Sequence, residues 1–385
     1  MGIFTREFNL VSASYFALFT SFYFMLPTMP IFVQSVGGQD WQIGVVMATF
    51  TATSIALRPL IGREADRHGR KGILLAGLVA FTVSTVLYNY SSSLPLLVPL
   101  RALHGAAWAA TTTALSALAA DVSPINRRGE ALGYFGMFAN FAMAFSPALG
   151  MAMLDAGGFK TLFLSACGIA LFSLLFASQI RESERPSLRG SDVSGKTLSR
   201  NVISPTLVIL LNTFSYGSII TYLPLYAQKQ SIPNIGLFFT VYAISVIMVR
   251  PVAGRLSDRY GRGAVIMPGV ISVVVGLLTI SLPYQLPMLL AAAVIYGLGF
   301  GAAYPTLMAL AVDLVSTDER GAAVGTFMSG FDLGIALGSA VSGLILQLTD
   351  FTTTFLSAGL VSSISIPLVF LLFLRESPAS SNVEK

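Results

Sequence analysis

Charged residues are scarce in this chain. Of its 385 residues only 11% are Asp, Glu, Lys or Arg, whereas 54% are hydrophobic, and a soluble domain usually carries about 25% charged residues. The mean hydropathy is +0.75. This composition excludes a water-soluble globular protein and indicates a chain that lies in a membrane.

Cysteine and histidine are also rare. The single Cys167 excludes an intramolecular disulfide, and the two histidines, His68 and His104, show neither metal-ligand spacing nor a Ser-His-Asp order. The glycine-rich segment 297–301 lies in an apolar run and is not followed by the Gly-Lys-Ser/Thr of a phosphate-binding loop. We therefore expect no enzyme activity, no cofactor and no metal.

Long apolar runs fill most of the chain, and about 20 such residues suffice for one membrane-spanning helix. Twelve runs can be drawn, at 9–35, 41–62, 72–92, 94–120, 129–153, 159–180, 204–227, 233–255, 264–283, 286–312, 320–346 and 351–374. They predict an all-α integral membrane protein with twelve transmembrane helices. No room remains for a soluble catalytic domain.

The distribution of positive charge predicts the orientation. With both termini in the cytoplasm, 18 of the 23 Lys and Arg residues fall on cytoplasmic segments, as the positive-inside rule requires. Lys160 and Lys229 face outward, and Arg58, Arg101 and Arg250 lie within spans. We expect a multi-pass protein of the inner (plasma) membrane. The lipid bilayer would be its partner, and we expect it to bind no nucleic acid.

The sequence contains one unit twice. The segment RPLIGREADRHGR at 58–70 recurs 192 residues later as RPVAGRLSDRYGR at 250–262, with eight identities in one register. The polar stretch at 181–203 separates the two copies. We predict an N-terminal six-helix bundle at 1–180, a cytoplasmic linker at 181–203 and a C-terminal six-helix bundle with a short tail at 204–385. Parallel repeats of this kind are typical of transporters.

Three motifs resemble those of a known family. The loop at 62–71 is similar to the signature between helices 2 and 3 of the Major Facilitator Superfamily, and the segment 101–105 is similar to its R-x-x-Q-G motif, with His104 where Gln is usual. The segment 146–150 resembles the G-P-x-x-G motif of drug and sugar antiporters, with Ser146 at the first Gly. The resemblance covers nearly the whole chain and implies the two-bundle fold, alternating access and proton-coupled efflux.

The resemblance implies that the 62–71 loop is a latch on the cytoplasmic side. Gly69 can take a positive φ, and Asp66 can accept hydrogen bonds from an Arg. The gating candidates are Gly62, Asp66, Gly69, Arg70, Arg128, Asp258 and Arg262. The alternative is that the basic residues of this loop only set the topology beside anionic lipid.

The fourth predicted span, at 94–120, and the tenth, at 286–312, each supply one helical face with candidates for a substrate site. His104, Trp108 and Thr112 follow one another at every fourth position, and therefore share a helical face. In the fold that the resemblance implies, these helices line a central cavity. The candidate cavity residues are Trp108, Thr112, Asn140, Tyr296, Phe300 and Tyr304. Such a cavity suits amphipathic organic molecules, although an aromatic stripe can also serve packing alone.

Asp332 is the one acidic residue deep inside an apolar run. It follows Arg320 by twelve residues, about 18 Å along a helix, where burial penalises the charged form. We hypothesise that Asp332 carries a proton and that Arg101, itself costly inside a span, tunes it, with His104 as a further candidate. The alternative is structural, because Asp332 aligns with the neutral Asn140 at the same offset of 192.

These observations favour a secondary active transporter, a proton-coupled antiporter that exports small amphipathic organic molecules such as a drug, a sugar or a siderophore-like metabolite. Its partners would be a small-molecule substrate and protons, and we expect a monomer. An importer or uniporter of the same fold is the first alternative. A membrane sensor and a polytopic membrane enzyme are further alternatives. The duplicated loops count against a sensor, and the lack of a clustered catalytic constellation counts against an enzyme.

Overall fold

The computed structural model describes residues 2–181, 202–282, 285–316 and 320–376. Most of these residues lie in α-helices. The predicted linker at 181–203 falls almost entirely outside the described residues, as does the tail after residue 376. The domain boundary therefore stays a prediction.

The first half of the chain forms six α-helices. They are α1 Arg6–Met25, α2 Met29–Ser35, α3 Asp40–His68, α4 Arg70–Leu87, α5 Leu94–Val122 and α6 Arg128–Ser178. The predicted first run splits into α1 and the short α2, since Pro27 lacks the N–H that would continue the helix. Conversely, the predicted runs 129–153 and 159–180 join in α6, which is interrupted only by the backbone of Gly158 at φ 70° and ψ −174°. This conformation is essentially restricted to glycine.

The second half follows the same plan. Its helices are α7 Ile203–Lys229, α8 Gly236–Tyr260, α9 Gly263–Ser281, α10 Leu286–Asp313, α11 Arg320–Leu348, α12 Phe351–Ser363 and α13 Ser365–Glu376. Ten helical segments in the described ranges are long and apolar enough to cross a membrane, with α12 and α13 counted as one. The 51-residue α6 counts once among these ten but contains two spans, one on each side of Gly158. The 29-residue α5 adds one more, so the total is twelve. The prediction of an all-α protein with twelve transmembrane helices is confirmed.

The chain divides into two compact units. The first comprises Met1–Gly190 with Asn234–Thr240, and the second comprises Ser191–Pro233 with Val241–Lys385. In the first unit α1 packs along α6, and α3 and α4 pack against α5. In the second unit α7 packs along α11 and α9 packs against α10. The 192-residue repeat thus reappears in two helix pairs, since α1 with α6 corresponds to α7 with α11 and α4 with α5 corresponds to α9 with α10.

Two aligned glycines allow helices to touch in each unit. A Cβ atom on Gly105 of α5 would lie 2.2 Å from the carbonyl oxygen of Phe50 on α3, and one on Gly297 of α10 would lie 2.7 Å from the carbonyl oxygen of Tyr242 on α8. Small residues permit this close approach of helices in membranes. The contact at Gly105 brings the part of α5 that contains Arg101 and His104 against α3.

The predicted orientation can be tested by thiol labelling in a background where Cys167 is replaced by Ser. We expect Gln230→Cys to react with an impermeant maleimide added outside intact cells, since this position follows α7 on the outward side. His68→Cys and Asn126→Cys should react only after permeabilisation. Labelling in the reverse pattern would contradict the assignment of both termini to the cytoplasm.

Candidate functional site

Arg70 lies at the centre of a charge triad in the first unit. Its guanidinium contacts the carboxylate of Asp66 one turn earlier, at 3.3 Å, and forms a short ion pair with Asp121 near the end of α5. It also donates to the carbonyl oxygen of Ala117 at 2.7 Å. The turn between α3 and α4 depends on Gly69, whose φ is 95°. The triad thus ties the 62–71 loop to the end of α5.

The second unit repeats this triad residue for residue. Arg262 contacts Asp258 at 3.1 Å and Asp313 at 3.0 Å, and it donates to Ser257 Oγ at 2.9 Å. Gly261 takes a φ of 87° at the matching turn. The second triad is the more open one, because the side chain of Arg262 is 29% exposed and that of Arg70 is 14% exposed.

The sequence analysis missed the two distal carboxylates as site residues. Asp121 and Asp313 are separated by the same 192 residues as the two arginines, so the repeat contained a signal for them.

Two gating candidates stand apart from the triads. Gly62 has no close neighbour that requires a glycine, because the nearest atom, on Thr113, would lie 4.0 Å from a Cβ.

The other candidate outside the triads is Arg128, the exposed first residue of α6. Its side chain makes no hydrogen bond or ion pair with the described residues. The neighbouring Arg127 does pair, donating to both carboxylate oxygens of Glu130 at 2.8 and 2.7 Å. These hydrogen bonds raise the pKa of the Arg127 guanidinium.

Arg101 and His104 lie together inside the first unit. Arg101 is 3% exposed and His104 is completely buried. Arg101 donates from Nε to the carbonyl oxygen of Val46 at 3.3 Å, and its guanidinium lies 4.8 Å from the ring centre of Phe50. His104 Nδ1 lies 3.0 Å from the hydroxyl of Tyr88. Tyr88 is a site residue that the sequence analysis did not name.

Trp108 belongs to an aromatic cluster between α1 and α5. Its ring centre lies 4.3 Å from that of Phe22 and 4.7 Å from that of Phe19, and all three side chains are half-buried. Thr112 turns back on its own helix and donates to the carbonyl oxygen of Trp108 at 2.7 Å. Asn140 is half-buried on α6.

The aligned aromatic stripe of the second unit is more deeply buried. Tyr296 is fully buried and its hydroxyl lies 2.9 Å from Ser215 Oγ, while Phe300 is 4% exposed. The rings of Phe300 and Tyr304 are parallel, with centres 6.0 Å apart. Tyr296 and Phe300 therefore form helix contacts within this unit, and only the half-buried Tyr304 remains partly accessible.

Asp332 lies half-buried on α11 beside Tyr304. The phenol of Tyr304 is within electrostatic range of both Asp332 and Arg250, and its ring packs 5.3 Å from that of Phe331. Arg250 of α8 and Asp332 of α11 thus both act electrostatically on Tyr304. Arg101 belongs to the first unit, and its role as the residue that tunes Asp332 stays a prediction.

The described residues contain no group of three or more His, Cys, Asp or Glu side chains that could hold a metal ion. The charged residues Arg101, Arg250 and Asp332 instead lie inside spans. Charged side chains at such places mark substrate and ion pathways. Twelve spanning helices in two related units, with such charges inside them, define a membrane transporter.

Comparison with known proteins gives the family. The profile of the Major Facilitator Superfamily matches residues 11–233 and 206–385, and the chain belongs to this family of transporters, which are not enzymes. Multidrug resistance protein MdtG of Klebsiella pneumoniae is 28% identical over 89% of this chain and 87% of its own length. The staphylopine export protein of Staphylococcus aureus is 22% identical over 92% of both chains.

Solved structures share the fold. A bacterial homologue of the human lysosomal transporter Spinster, in an inward-facing and unoccupied conformation, superimposes with a TM-score of 0.82 at 15% identity, covering 97% of this chain and 98% of its own. The nucleoside transporter NupG, as a D323A mutant, gives a TM-score of 0.75 at 14% identity, covering 95% of this chain and all of its own.

The two triads generate a prediction about stability. We expect Asp121→Asn to lower the thermal midpoint of the purified protein more than Asp313→Asn does, since the side chain of Asp121 is 25% exposed and that of Asp313 is 53% exposed. Exposed ion pairs contribute about 0–1 kcal/mol. Differential scanning fluorimetry in detergent measures both variants. A larger effect at Asp313 would contradict the ranking.

Proposed function

We propose that this protein is a proton-coupled antiporter that exports small amphipathic organic molecules by alternating access. It would act as a monomer in the inner (plasma) membrane, with both termini in the cytoplasm. The observation that carries the proposal is the half-buried carboxyl group of Asp332 inside α11, which interacts electrostatically with the phenol of Tyr304. Similarity to a staphylopine exporter and to multidrug resistance proteins supports the direction of transport.

Asp332 can work as a proton carrier because its carboxyl group is half-buried inside a span, where charges interact more strongly than in water. Its deprotonated form acts electrostatically on Tyr304, and so does the cation Arg250. Protonation removes the contribution of Asp332. A proton can shift a conformational equilibrium only through such a difference in interaction between two states.

The substrate class is proposed from the aromatic cluster around Trp108. Phe19, Phe22 and Trp108 are all half-buried, so each keeps part of its ring accessible. Aromatic faces with few polar partners suit amphipathic organic molecules. Asn140 and Thr112 are the proposed polar residues of this substrate site. In the second unit, the half-buried Tyr304 offers an accessible aromatic surface as well.

The triads are proposed to act in gating. Asp66 and Arg70 link the 62–71 loop to α5, and Asp258 and Arg262 do the same for α10. Gly69 lets the chain turn tightly at the first loop. An ion pair that must break and re-form in each cycle affects the rate of conformational exchange, whereas a lipid-facing charge does not.

Gating predicts a difference between turnover and abundance. We expect Asp66→Asn to reduce transport several-fold while the amount of protein in the membrane stays near that of the wild type. Asp258→Asn serves as the matched variant, and its effect should be milder because its triad is more exposed. Transport is normalised to protein detected by immunoblot. Unchanged transport in both variants would leave only the lipid-facing interpretation of these charges.

Proton coupling is tested by Asp332→Asn, which keeps the shape and hydrogen bonding of the side chain but cannot titrate. A thermal-shift screen of a chemically broad panel first identifies a ligand of the wild type. We expect the variant to bind that ligand and yet to lose uphill uptake driven by a pH gradient in everted vesicles. Asp155→Asn, at an exposed acid of α6, is the control and should transport normally.

Two results would count against this proposal. If Asp332→Asn still accumulates ligand against its gradient, the proton travels by another route. If the wild type moves the ligand only in the opposite direction, the protein is an importer of the same fold.

A further inference from the structure

Each unit contains a cluster of four rings at aligned positions of the repeat. The offset is 192 residues for three of the four pairs and 194 for the pair in α1 and α7. Every one of these positions carries an aromatic side chain, so the two units can be compared ring by ring. The first-unit quartet consists of Phe22, Phe50, His104 and Trp108, and the second-unit quartet consists of Tyr216, Tyr242, Tyr296 and Phe300.

The rings of each quartet meet in the same arrangement. Phe22 stacks on Phe50 with 5.2 Å between ring centres and on Trp108 with 4.3 Å. Its counterpart Tyr216 stacks on the two corresponding rings of the second unit, at 5.8 and 5.7 Å. The two quartets are therefore the same structural element, and a difference between them indicates what one of them does and the other does not.

The two quartets differ in accessibility. In the second unit all four side chains are buried, with at most 5% of each exposed. In the first unit Phe50 and His104 are buried, whereas Phe22 and Trp108 are half-buried. The half-buried Phe19, whose ring centre lies 4.7 Å from that of Trp108, extends this accessible surface. A fully buried set of rings can serve packing only, while accessible aromatic surface can bind a ligand.

The first-unit quartet also has a hydrogen-bond donor to offer. The indole nitrogen of Trp108 makes no hydrogen bond with any of the residues that the structure describes, and it is not buried. The other tryptophan of the chain, Trp41, does donate, to Gln39 Oε1 at 2.9 Å. At the aligned position of the second unit, Phe300 has no polar atom to satisfy.

The position of Trp108 along its helix decides what this N–H group can face. Trp108 is the middle residue of α5, Leu94–Val122, so its side chain lies too deep to reach the lipid headgroups. Hydrocarbon offers no acceptor, and a donor left without one there is costly. A half-buried indole at this depth is therefore expected to face a water-filled cavity, in which a bound substrate can supply the acceptor.

We propose that the first-unit quartet binds a planar aromatic ring of the substrate, and that Trp108 Nε1 donates a hydrogen bond to an acceptor atom in or beside that ring. The second-unit quartet packs helices and binds no substrate. The substrate class is thereby narrowed from amphipathic molecules in general to planar aromatic compounds with a hydrogen-bond acceptor. The inference rests on the proposed function in one respect, namely that the ligand bound here is the one transported.

Quinoline and naphthalene test the two parts of this site separately. The two probes have nearly the same shape, but only quinoline has a ring nitrogen that accepts a hydrogen bond. Binding is measured by equilibrium dialysis against protein in nanodiscs at pH 8, where quinoline is uncharged, and empty nanodiscs correct for partition into lipid. We expect Trp108→Phe, which keeps a ring but lacks the N–H, to weaken quinoline binding about fivefold and to leave naphthalene binding nearly unchanged.

The aromatic surface is tested by a matched pair of variants. Phe22→Leu removes an accessible ring of the first-unit quartet and should weaken the binding of both probes. Tyr216→Leu removes the aligned ring of the buried quartet and should leave both affinities near those of the wild type.

The accessibility of Trp108 can be tested without a ligand, and with a conservative substitution. Trp41→Phe leaves Trp108 as the only tryptophan of the chain. Acrylamide dissolves in water and hardly enters hydrocarbon, so it should quench the fluorescence of Trp108 if the indole faces a water-filled cavity. An emission that acrylamide does not quench would overturn the proposal.

The binding results can contradict each part of the proposal. Equal effects of Trp108→Phe on the two probes would contradict the hydrogen bond, and equal losses in Phe22→Leu and Tyr216→Leu would contradict the division between the quartets. A wild type that binds neither probe would overturn the proposal as a whole. None of these measurements uses a gradient, so a failure of proton-coupled export, seen with Asp332→Asn in vesicles, is a separate result.

Discussion

The hydrocarbon core of a bilayer offers no hydrogen-bond partners, so each polar side chain within a span has to find its partner on a neighbouring helix or on a backbone carbonyl of its own helix. The packing of both units follows from this constraint. In the second unit, α7 and α11 are joined by hydroxyl pairs such as Thr221 with Ser339 at 2.9 Å, and Tyr296 is satisfied by Ser215. In the first unit, Ser14 and Ser173 pair at 2.9 Å in the same way. Hydrogen bonds between polar side chains thus fix the position of neighbouring helices relative to each other, which apolar contacts alone do not specify.

The two units meet this constraint with different charges. His104 and Asn140 of the first unit align with Tyr296 and Asp332 of the second, and Arg101 aligns with Ala293. The first unit therefore keeps a permanent cation held by neutral partners, whereas the second contains a half-buried carboxyl group inside a span. Duplication supplied the helix pairs and the two triads. Divergence at a few aligned positions divided the electrostatic roles.

Hydropathy and the repeat predicted the spanning helices and four of the six triad residues, because those features depend on composition and on spacing along one chain. Asp121 and Asp313, the distal carboxylates, were not among the predicted site residues. The hydrogen bond between Tyr88 and His104 could not be predicted in that way. Tyr88 lies sixteen residues before His104, outside every motif, and its repeat position is Ile280. Likewise, the electrostatic interaction of Asp332 on α11 with Tyr304 on α10 depends on packing that the sequence pattern does not encode.

The backbone of Gly158 joins two spans with a single non-helical residue. A hairpin that reverses at one residue has no loop to lengthen, and any side chain there would strain a backbone that only glycine adopts readily. Insertion of an epitope tag at this connection should therefore disturb both helices, whereas the connections after α7 and α11 have extra residues that can absorb it. Like Gly69, which alone joins α3 to α4, this corner is closed to evolutionary insertion.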